Sequence, residues 1–193
     1  MTIVNVIGDN SDTAFSELVL LQLSCSYRVT YINENSIIQS GNGYEVVIAE
    51  FQELKCLNAP ECIIVMKADG IVPSLFQTEL PSKCIIIANS ENAEQLSALK
   101  EVDCTVITCG ISEKDTLSCS SYGSLYVTDI HDAQNSSLMV SLNREITAFS
   151  GRTVQPLEMP LKVTSSENIY YTLALTALRL ILDDFNSELG KLI

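Results

Sequence analysis

The stretch VNVIGDNSDTAF, residues 4–15, determines how the rest of the sequence is interpreted. An apolar run ends at Gly8, a polar turn follows, and Ala14 opens a stretch with helical spacing. A strand, a glycine-bearing loop and a helix in this order can hold a phosphate, because free backbone N–H groups and the helix dipole point at the anion. The lysine that usually completes such a loop is missing, and Asp12 stands in its place. The carboxylates of Asp9 and Asp12 would repel a phosphate.

The turn therefore has two interpretations. As a phosphate loop it retains Gly8, Asn10 and the hydroxyl of Thr13. As an ordinary strand-to-helix turn it needs no ligand, and Ser11 or Asp12 caps the helix. The residues favour the ordinary turn.

The first 110 residues alternate between apolar strand-like runs and stretches with helical spacing. Continuously apolar strands are typical of a parallel sheet that is covered by helices on both faces. The predicted strands are 2–7, 27–32, 44–49, 62–67, 83–88 and 104–109. The predicted helices are 12–24, with Ala14, Leu18, Leu21 and Leu23 inward, and 91–100, with Ala93, Leu96 and Leu99 inward. This pattern predicts a doubly wound α/β fold.

After Gly110 the pattern predicts an antiparallel extension. Residues 116–130 indicate two short strands around Tyr122-Gly123, and 137–149 and 153–163 indicate longer strands joined at Ser150-Gly151. Ser165 and Ser166 are candidate caps for a last helix, about 167–183. Its core stripe comprises Ile169, Leu173, Ala174, Ala177, Leu180 and Ile181, and further apolar residues lie outside that stripe at Tyr170, Tyr171, Leu175, Leu178 and Leu182. We expect one domain over 1–193, with a parallel part (1–110), a ribbon (111–163) and a C-terminal helix and tail (164–193).

Composition limits the classes of partner. The chain has 193 residues, 47% of them hydrophobic, and 24 acidic residues against 11 basic ones give a formal charge of −13. An acidic protein repels nucleic acid and anionic lipid. Seven cysteines without a CxxC pair, and the lack of an apparent secretory leader or membrane span, predict reduced thiols in a cytoplasmic protein.

Three other sets of residues are candidates for chemistry. Glu50 ends a predicted strand, where a carboxylate can bind a metal or simply face solvent. His131 is the only histidine, so neither a histidine zinc cluster nor a Ser-His-Asp triad is expected. Cys104 and Cys109 flank a strand and are predicted to point to opposite faces, which disfavours a shared metal site.

In order along the chain, these landmarks resemble the central, ATP-binding domain of the Mur ligases, the amide-forming ligases of peptidoglycan synthesis, and of their folylpolyglutamate synthase relatives. Gly8–Thr13 aligns with the family's G-T-N-G-K-T loop, and Glu50 with its magnesium-binding glutamate. Asn89–Asn92 matches N-x-D-D, which helps to hold the base. TCGISEKD at 108–115 is similar to TFGLSEKA, and Ser165–Asn168 takes the place of G-x-H-N.

The departures from the family pattern concern the residues that handle ATP. Asp12 replaces the lysine, Ser11 the second loop glycine, Glu91 and Asn92 the acidic pair, and Glu167 the histidine. The resemblance implies remnants of a nucleotide site at Gly8, Asn10, Thr13, Asn89 and Asn168, and of a metal site at Glu50. Neither flanking domain of the family fits into 193 residues.

The leading hypothesis is a catalytically inactive Mur-ligase-like domain that binds or scaffolds other proteins, and the resemblance implies a link to cell-wall or folate metabolism. We expect no cofactor, with ATP and magnesium as the alternative, and a protein partner or homo-oligomer rather than nucleic acid or membrane. The rival hypotheses are a nucleotide-dependent enzyme completed by a partner chain, and a small-ligand sensor.

Overall fold

The protein is described here by a computed structural model covering residues 1–52, 59–70, 80–100, 102–124, 135–164 and 168–184. The chain divides into two compact units, Met1–Ile107 and Thr108–Ile193. The predicted change of pattern near Gly110 falls close to that division. Whether the chain is one domain, as we expect from its length, stays a prediction.

The first unit is built on a mainly parallel sheet. Its strands are β1 (Thr2–Ile7), β2 (Arg28–Ile32), β3 (Ile37–Ser40), β4 (Glu45–Phe51), β5 (Glu61–Met66) and β6 (Lys83–Asn89), and β7 (Thr105–Gly110) follows. The order across this part of the sheet is β6-β5-β1-β4-β2-β3. Only β3 runs antiparallel to its neighbour, β2. The six predicted strands are confirmed to within two residues at each end, whereas the short, exposed β3 was not predicted.

Two helices cover opposite faces of this sheet. In α1 (Ala14–Leu23) the Ser16 hydroxyl reaches Glu50, so α1 lies on the face to which Glu50 points. In α2 (Ala93–Leu99) the buried Leu99 packs in a cluster with Ile7 and Ile64, which belong to the other face. The predicted doubly wound α/β architecture is confirmed.

The predicted inward faces of these helices are partly wrong. Helix α1 buries Phe15, Ser16, Val19 and Leu23, while Leu21 is 69% exposed and Ala14 is exposed. Helix α2 buries Leu99 as predicted, but its other buried residue is Gln95 rather than Ala93. A polar residue takes an inward position in each helix because it bonds to the carboxyl end of the sheet.

The second unit contains the antiparallel extension. Strands β8 (Leu117–Ser124), β9 (Asn135–Leu142) and β12 (Leu157–Thr164) pair in the order β8-β9-β12. Strand β8 continues through Tyr122-Gly123, so the turn predicted there is wrong. The predicted strand 137–149 is interrupted after Leu142, and a separate hairpin, β10 (Ile146–Thr147) and β11 (Thr153–Val154), turns at Ser150-Gly151.

Helix α3 (Ile169–Ile181) is mostly apolar and is buried on all of its sides. Every residue from Tyr170 to Ile181 is buried, and only Ile169, at 36%, is exposed. The additional apolar residues Tyr171, Leu175 and Leu178 are therefore covered within the chain. These residues therefore give no exposed apolar helix face for a partner, and the expectation of a protein partner stays a prediction.

The cysteines in the described ranges are free thiols, as predicted, and Cys56 lies outside those ranges. Among the helices that the structure describes, none combines the length and apolar character needed to cross a membrane.

Candidate functional site

The loop between β1 and α1 is held in shape by its own carboxylates. The Asp9 side chain accepts a hydrogen bond from the backbone N–H of Ser11 at 2.9 Å, and Asp12 accepts one from the N–H of Ala14 at 3.1 Å. Hydrogen bonding to Ser11 lowers the pKa of Asp9. Thr13 is the N-cap residue by position but makes no side-chain capping bond, and its hydroxyl donates to Glu17. The N-cap is therefore Thr13 rather than the predicted Ser11 or Asp12, although the Asp12 carboxylate still accepts from the first amide of the helix.

A lysine from another strand occupies the interior of this loop. Lys67 directly follows β5, and its side chain is 1% exposed. Its ammonium donates to the backbone carbonyl of Asp9 at 2.7 Å and to that of Asp12 at 2.5 Å. The third partner of the ammonium is the carboxylate of Glu50. All three donors of the ammonium thus have acceptors within the protein.

Glu50 is the buried counter-ion of Lys67. The Glu50 residue is 2% exposed, which contradicts the interpretation of a solvated acid at a strand end. One carboxylate oxygen, Oε1, accepts from Lys67, and the other, Oε2, accepts from the hydroxyls of Ser16 and Tyr31. Burial, and then the hydrogen bond to Glu50, raise the pKa of Tyr31. Both carboxylate oxygens of Glu50 already have partners, and a metal-binding role for this residue stays a prediction.

Sheet order explains how this ion pair forms. Strands β4 and β5 lie on either side of β1, and in register Glu50 lies beside Val6. Lys67 follows Met66, which pairs with Ile7, so Lys67 is level with Gly8. The lysine side chain must cross β1 at that glycine. A Cβ atom on Gly8 would lie 2.7 Å from the Cβ of Lys67, so no other residue leaves room for the crossing.

The loop amides are also occupied. Gly8 N–H donates to the carbonyl of Phe51 at 3.1 Å, and Asp12 N–H donates to the carbonyl of Asp9 at 3.2 Å. Together with those of Ser11 and Ala14, four N–H groups at the turn already have acceptors from the chain. The side-chain oxygen of Asn10 is buried without a hydrogen-bond partner.

Asn89 anchors the segment that carries Lys67. Its amide nitrogen donates to the carbonyl of Ala68 at 3.1 Å, and its backbone N–H donates to Gln95 at 3.0 Å. The Gln95 side chain in turn donates to the carbonyls of Lys67, at 2.7 Å, and of Gly70, at 2.8 Å. Residues 67–70 are therefore clamped by α2 and by the end of β6.

The predicted site residues of the first unit therefore gather at one sheet edge. Gly8, Asn10 and Thr13 lie in the loop, Glu50 lies beneath it, and Asn89 holds the adjoining segment. Asn168 belongs to the second unit, where its side chain caps α3 by accepting from the N–H of Tyr170 at 2.9 Å. His131 and Ser165–Glu167 lie outside the described residues. Within the described ranges, no cluster of three or more His, Cys, Asp or Glu residues is arranged to hold a metal.

Sequence reasoning missed four residues of this cluster: Ser16, Tyr31, Lys67 and Gln95. A signal for one of them was present, because Lys67 ends the predicted strand 62–67 just as Glu50 follows the predicted strand 44–49. A lysine and a glutamate at the ends of apolar strands indicate an ion pair once the strands are known to flank the same neighbour.

Comparison with solved structures supports the fold expected from the resemblance. The chain superimposes along 100% of its length on 46% of the UDP-N-acetylmuramoylalanyl-D-glutamyl-2,6-diaminopimelate–D-alanyl-D-alanyl ligase from Acinetobacter baumannii, with a TM-score of 0.61 and 10% identity. The protein has a Mur-ligase fold. A murein peptide ligase from Psychrobacter arcticus matches 93% of the chain over 44% of its own length, with a TM-score of 0.55 and 12% identity.

A third Mur ligase, MurF from Thermotoga maritima in complex with ADP, covers 95% of the chain over 45% of its own length, with a TM-score of 0.53 and 11% identity. No protein-family model and no curated protein sequence matches the chain. The chain thus spans somewhat less than half the length of the Mur ligases it resembles, and at these identities the likeness establishes the fold alone.

The crossing of Lys67 over β1 predicts that Gly8→Ala is unusually costly. Gly8 has φ +148° and a 2.7 Å approach to Lys67, whereas Gly151 has φ +86° and nothing within 4 Å of an added Cβ. We expect Gly8→Ala to lower the free energy of unfolding by about 3 kcal/mol, from strain plus overpacking. The control Gly151→Ala should cost about 1 kcal/mol, from strain alone. Equal losses in urea unfolding would contradict the crossing.

The buried ion pair predicts a large loss of stability in Lys67→Met. The variant leaves the buried Glu50 carboxylate without a counter-ion, and we expect the free energy of unfolding to fall by about 3–5 kcal/mol. Adding Glu50→Gln should recover part of this loss. The matched control is Lys83→Met, whose exposed partner Glu61 is 3.9 Å away, and it should cost at most about 0.5 kcal/mol. Urea unfolding measures all three variants, and a Lys67→Met loss no larger than that of Lys83→Met would refute the assignment.

Proposed function

We propose that this protein is a catalytically inactive Mur-ligase-like domain that acts by binding or scaffolding rather than by ATP-dependent ligation. The observation that carries the proposal is the position of Lys67, whose ammonium is held by two loop carbonyls and by Glu50. Its charge is neutralised inside the protein, and its three donors are already used.

The electrostatics of phosphoryl transfer explain why this matters. The transferred phosphoryl group is stabilised almost entirely by positioned positive charge, from a lysine, a metal ion and loop amides. Here the lysine is paired, and Asp12 takes the loop position where a phosphate-binding lysine would stand. Losing even about 4 kcal/mol of this stabilisation slows a reaction roughly a thousandfold.

The loop amides and the glutamate support the same conclusion. The amides of Ser11 and Ala14, which would face a phosphate in a binding loop, are taken by the carboxylates of Asp9 and Asp12. Glu50 would have to give up Lys67 and two hydroxyl donors to bind magnesium. The donor set therefore does not fit a magnesium-bound triphosphate.

The proposal predicts no useful affinity for ATP. In calorimetry with magnesium-ATP we expect a Kd no tighter than about 1 mM, corresponding to about 4 kcal/mol of binding, and no ATPase activity. Micromolar binding would overturn the proposal. Turnover that disappears in Thr13→Ala or Glu50→Gln would instead support a nucleotide-dependent enzyme, and stabilisation by another small molecule in a thermal-shift screen would support a ligand sensor.

The binding part of the proposal predicts a stable protein complex. Size-exclusion chromatography with light scattering should give a mass above the 21.1 kDa of one chain, either for the purified protein or after capture of a partner from its native cell extract. Charged substitutions at Tyr171 or Leu178 are unsuitable probes, because both side chains are buried and the chain would unfold. A monomer that enriches no protein would leave the scaffolding role without support.

A further inference from the structure

Three thiols of the first unit meet on the α2 face of the sheet. Cys62 in β5 and Cys84 in β6 are direct partners in the parallel register. Cys104, the residue before β7, packs against the same hydrophobic cluster. We call these three residues the thiol triad. They lie far apart in sequence, so only the order of the strands brings them together.

The geometry of the triad favours disulfide exchange. The Sγ atoms of Cys62 and Cys84 are 3.5 Å apart, with no bond between them, and all three cysteines are free. A disulfide needs about 2.05 Å, so a small side-chain rotation closes the gap. Cys62 and Cys84 are buried, at 0% and 3% exposure, whereas Cys104 is only half-buried. An oxidant from solvent can therefore reach Cys104 first.

The pKa values of Cys84 and Cys104 are shifted in opposite directions, which suits these two thiols to different roles. Hydrogen bonding to Cys84 lowers the pKa of Cys104, which favours the thiolate that peroxides attack. Hydrogen bonding to Cys104 and Cys62 raises the pKa of Cys84, so this central residue keeps its proton. By contrast, burial raises the pKa of Cys109, and we expect this fully buried thiol to be inert.

We propose that the thiol triad is a peroxide-sensitive modification site, in which Cys104 is oxidised first and Cys84 resolves it as a disulfide. In the first step the Cys104 thiolate attacks a hydroperoxide and the O–O bond breaks, which converts Cys104 to a sulfenic acid. The leaving group is an alkoxide or a hydroxide, and it takes up a proton. In the second step the Cys84 sulfur attacks the sulfenic sulfur, an S–S bond forms, the S–O bond breaks, and the Cys84 proton leaves with the hydroxyl as water. Two electrons pass from the two thiols to one peroxide.

Cys62 can then move the disulfide into the core. Its sulfur lies beside Cys84 and can attack that sulfur by thiol–disulfide exchange, which releases the Cys104 thiolate. Both possible disulfides contain Cys84. The Cys84–Cys104 disulfide links β6 to the residue that precedes β7, and the Cys62–Cys84 disulfide links β6 to β5. This site is separate from the Lys67 loop and does not depend on the proposed loss of ligase activity.

The test is peroxide titration of the intact protein followed by alkylation and peptide mapping. With one equivalent of hydrogen peroxide we expect one disulfide containing Cys84, a mass loss of about 2 Da, and no oxidation of Cys109. Cys25→Ser, which removes an exposed thiol outside the triad, should behave like the unmodified chain. Cys104→Ser, a change at a half-buried position that should preserve folding, should lose the disulfide.

Two results would overturn the proposal. One is the absence of any Cys84 disulfide in the unmodified protein, with Cys104 left as a thiol or oxidised to a sulfinic acid. The other is a Cys84 disulfide that forms at an unchanged rate in Cys104→Ser, because Cys104 would then not be the point of entry. Native-state circular dichroism of each variant distinguishes a lost reaction from a lost fold.

Discussion

The structure of the first unit depends on one buried ion pair, between the ammonium of Lys67 and the carboxylate of Glu50. Burying a charge is costly unless it is paired and its remaining donors or acceptors are satisfied. The protein satisfies both conditions by adding two loop carbonyls around the lysine and two hydroxyls around the glutamate. The loop, α1, β2, β4 and β5 are thereby joined at one point.

The same constraint determines the conformation of the loop. A loop that holds a phosphate turns its N–H groups towards the ligand, whereas this one directs two carbonyls at an internal cation and covers two amides with its own carboxylates. The loop between β1 and α1 thus connects a strand to a helix as a phosphate-binding loop does, but it presents oxygen atoms to a cation where the phosphate-binding loop presents N–H groups to an anion. A shared fold does not carry a shared activity, because activity depends on the side chains at the site.

The two faces of the sheet are specialised by strand order. On the α1 face, β4 and β5 present Glu50 and Lys67 around the gap at Gly8. On the α2 face, β5 and β6 present Cys62 and Cys84 in direct register. Both groupings use residues that are distant in sequence, and each follows from which strands are neighbours. Neither the ion pair nor the thiol triad would survive a change of one residue in register, since such a shift turns every side chain to the opposite face.

The sequence by itself determined the strands, the doubly wound class and the location of the candidate loop, because continuous apolar runs and a glycine before a helix depend on local chemistry. It did not determine the inward faces of α1 and α2, where Ser16 and Gln95 displaced the expected apolar residues. Those positions, and the role of Lys67, were decided by the tertiary structure. A polar side chain is stable inside only where partners from other strands meet it, and sequence spacing does not show which strands are neighbours.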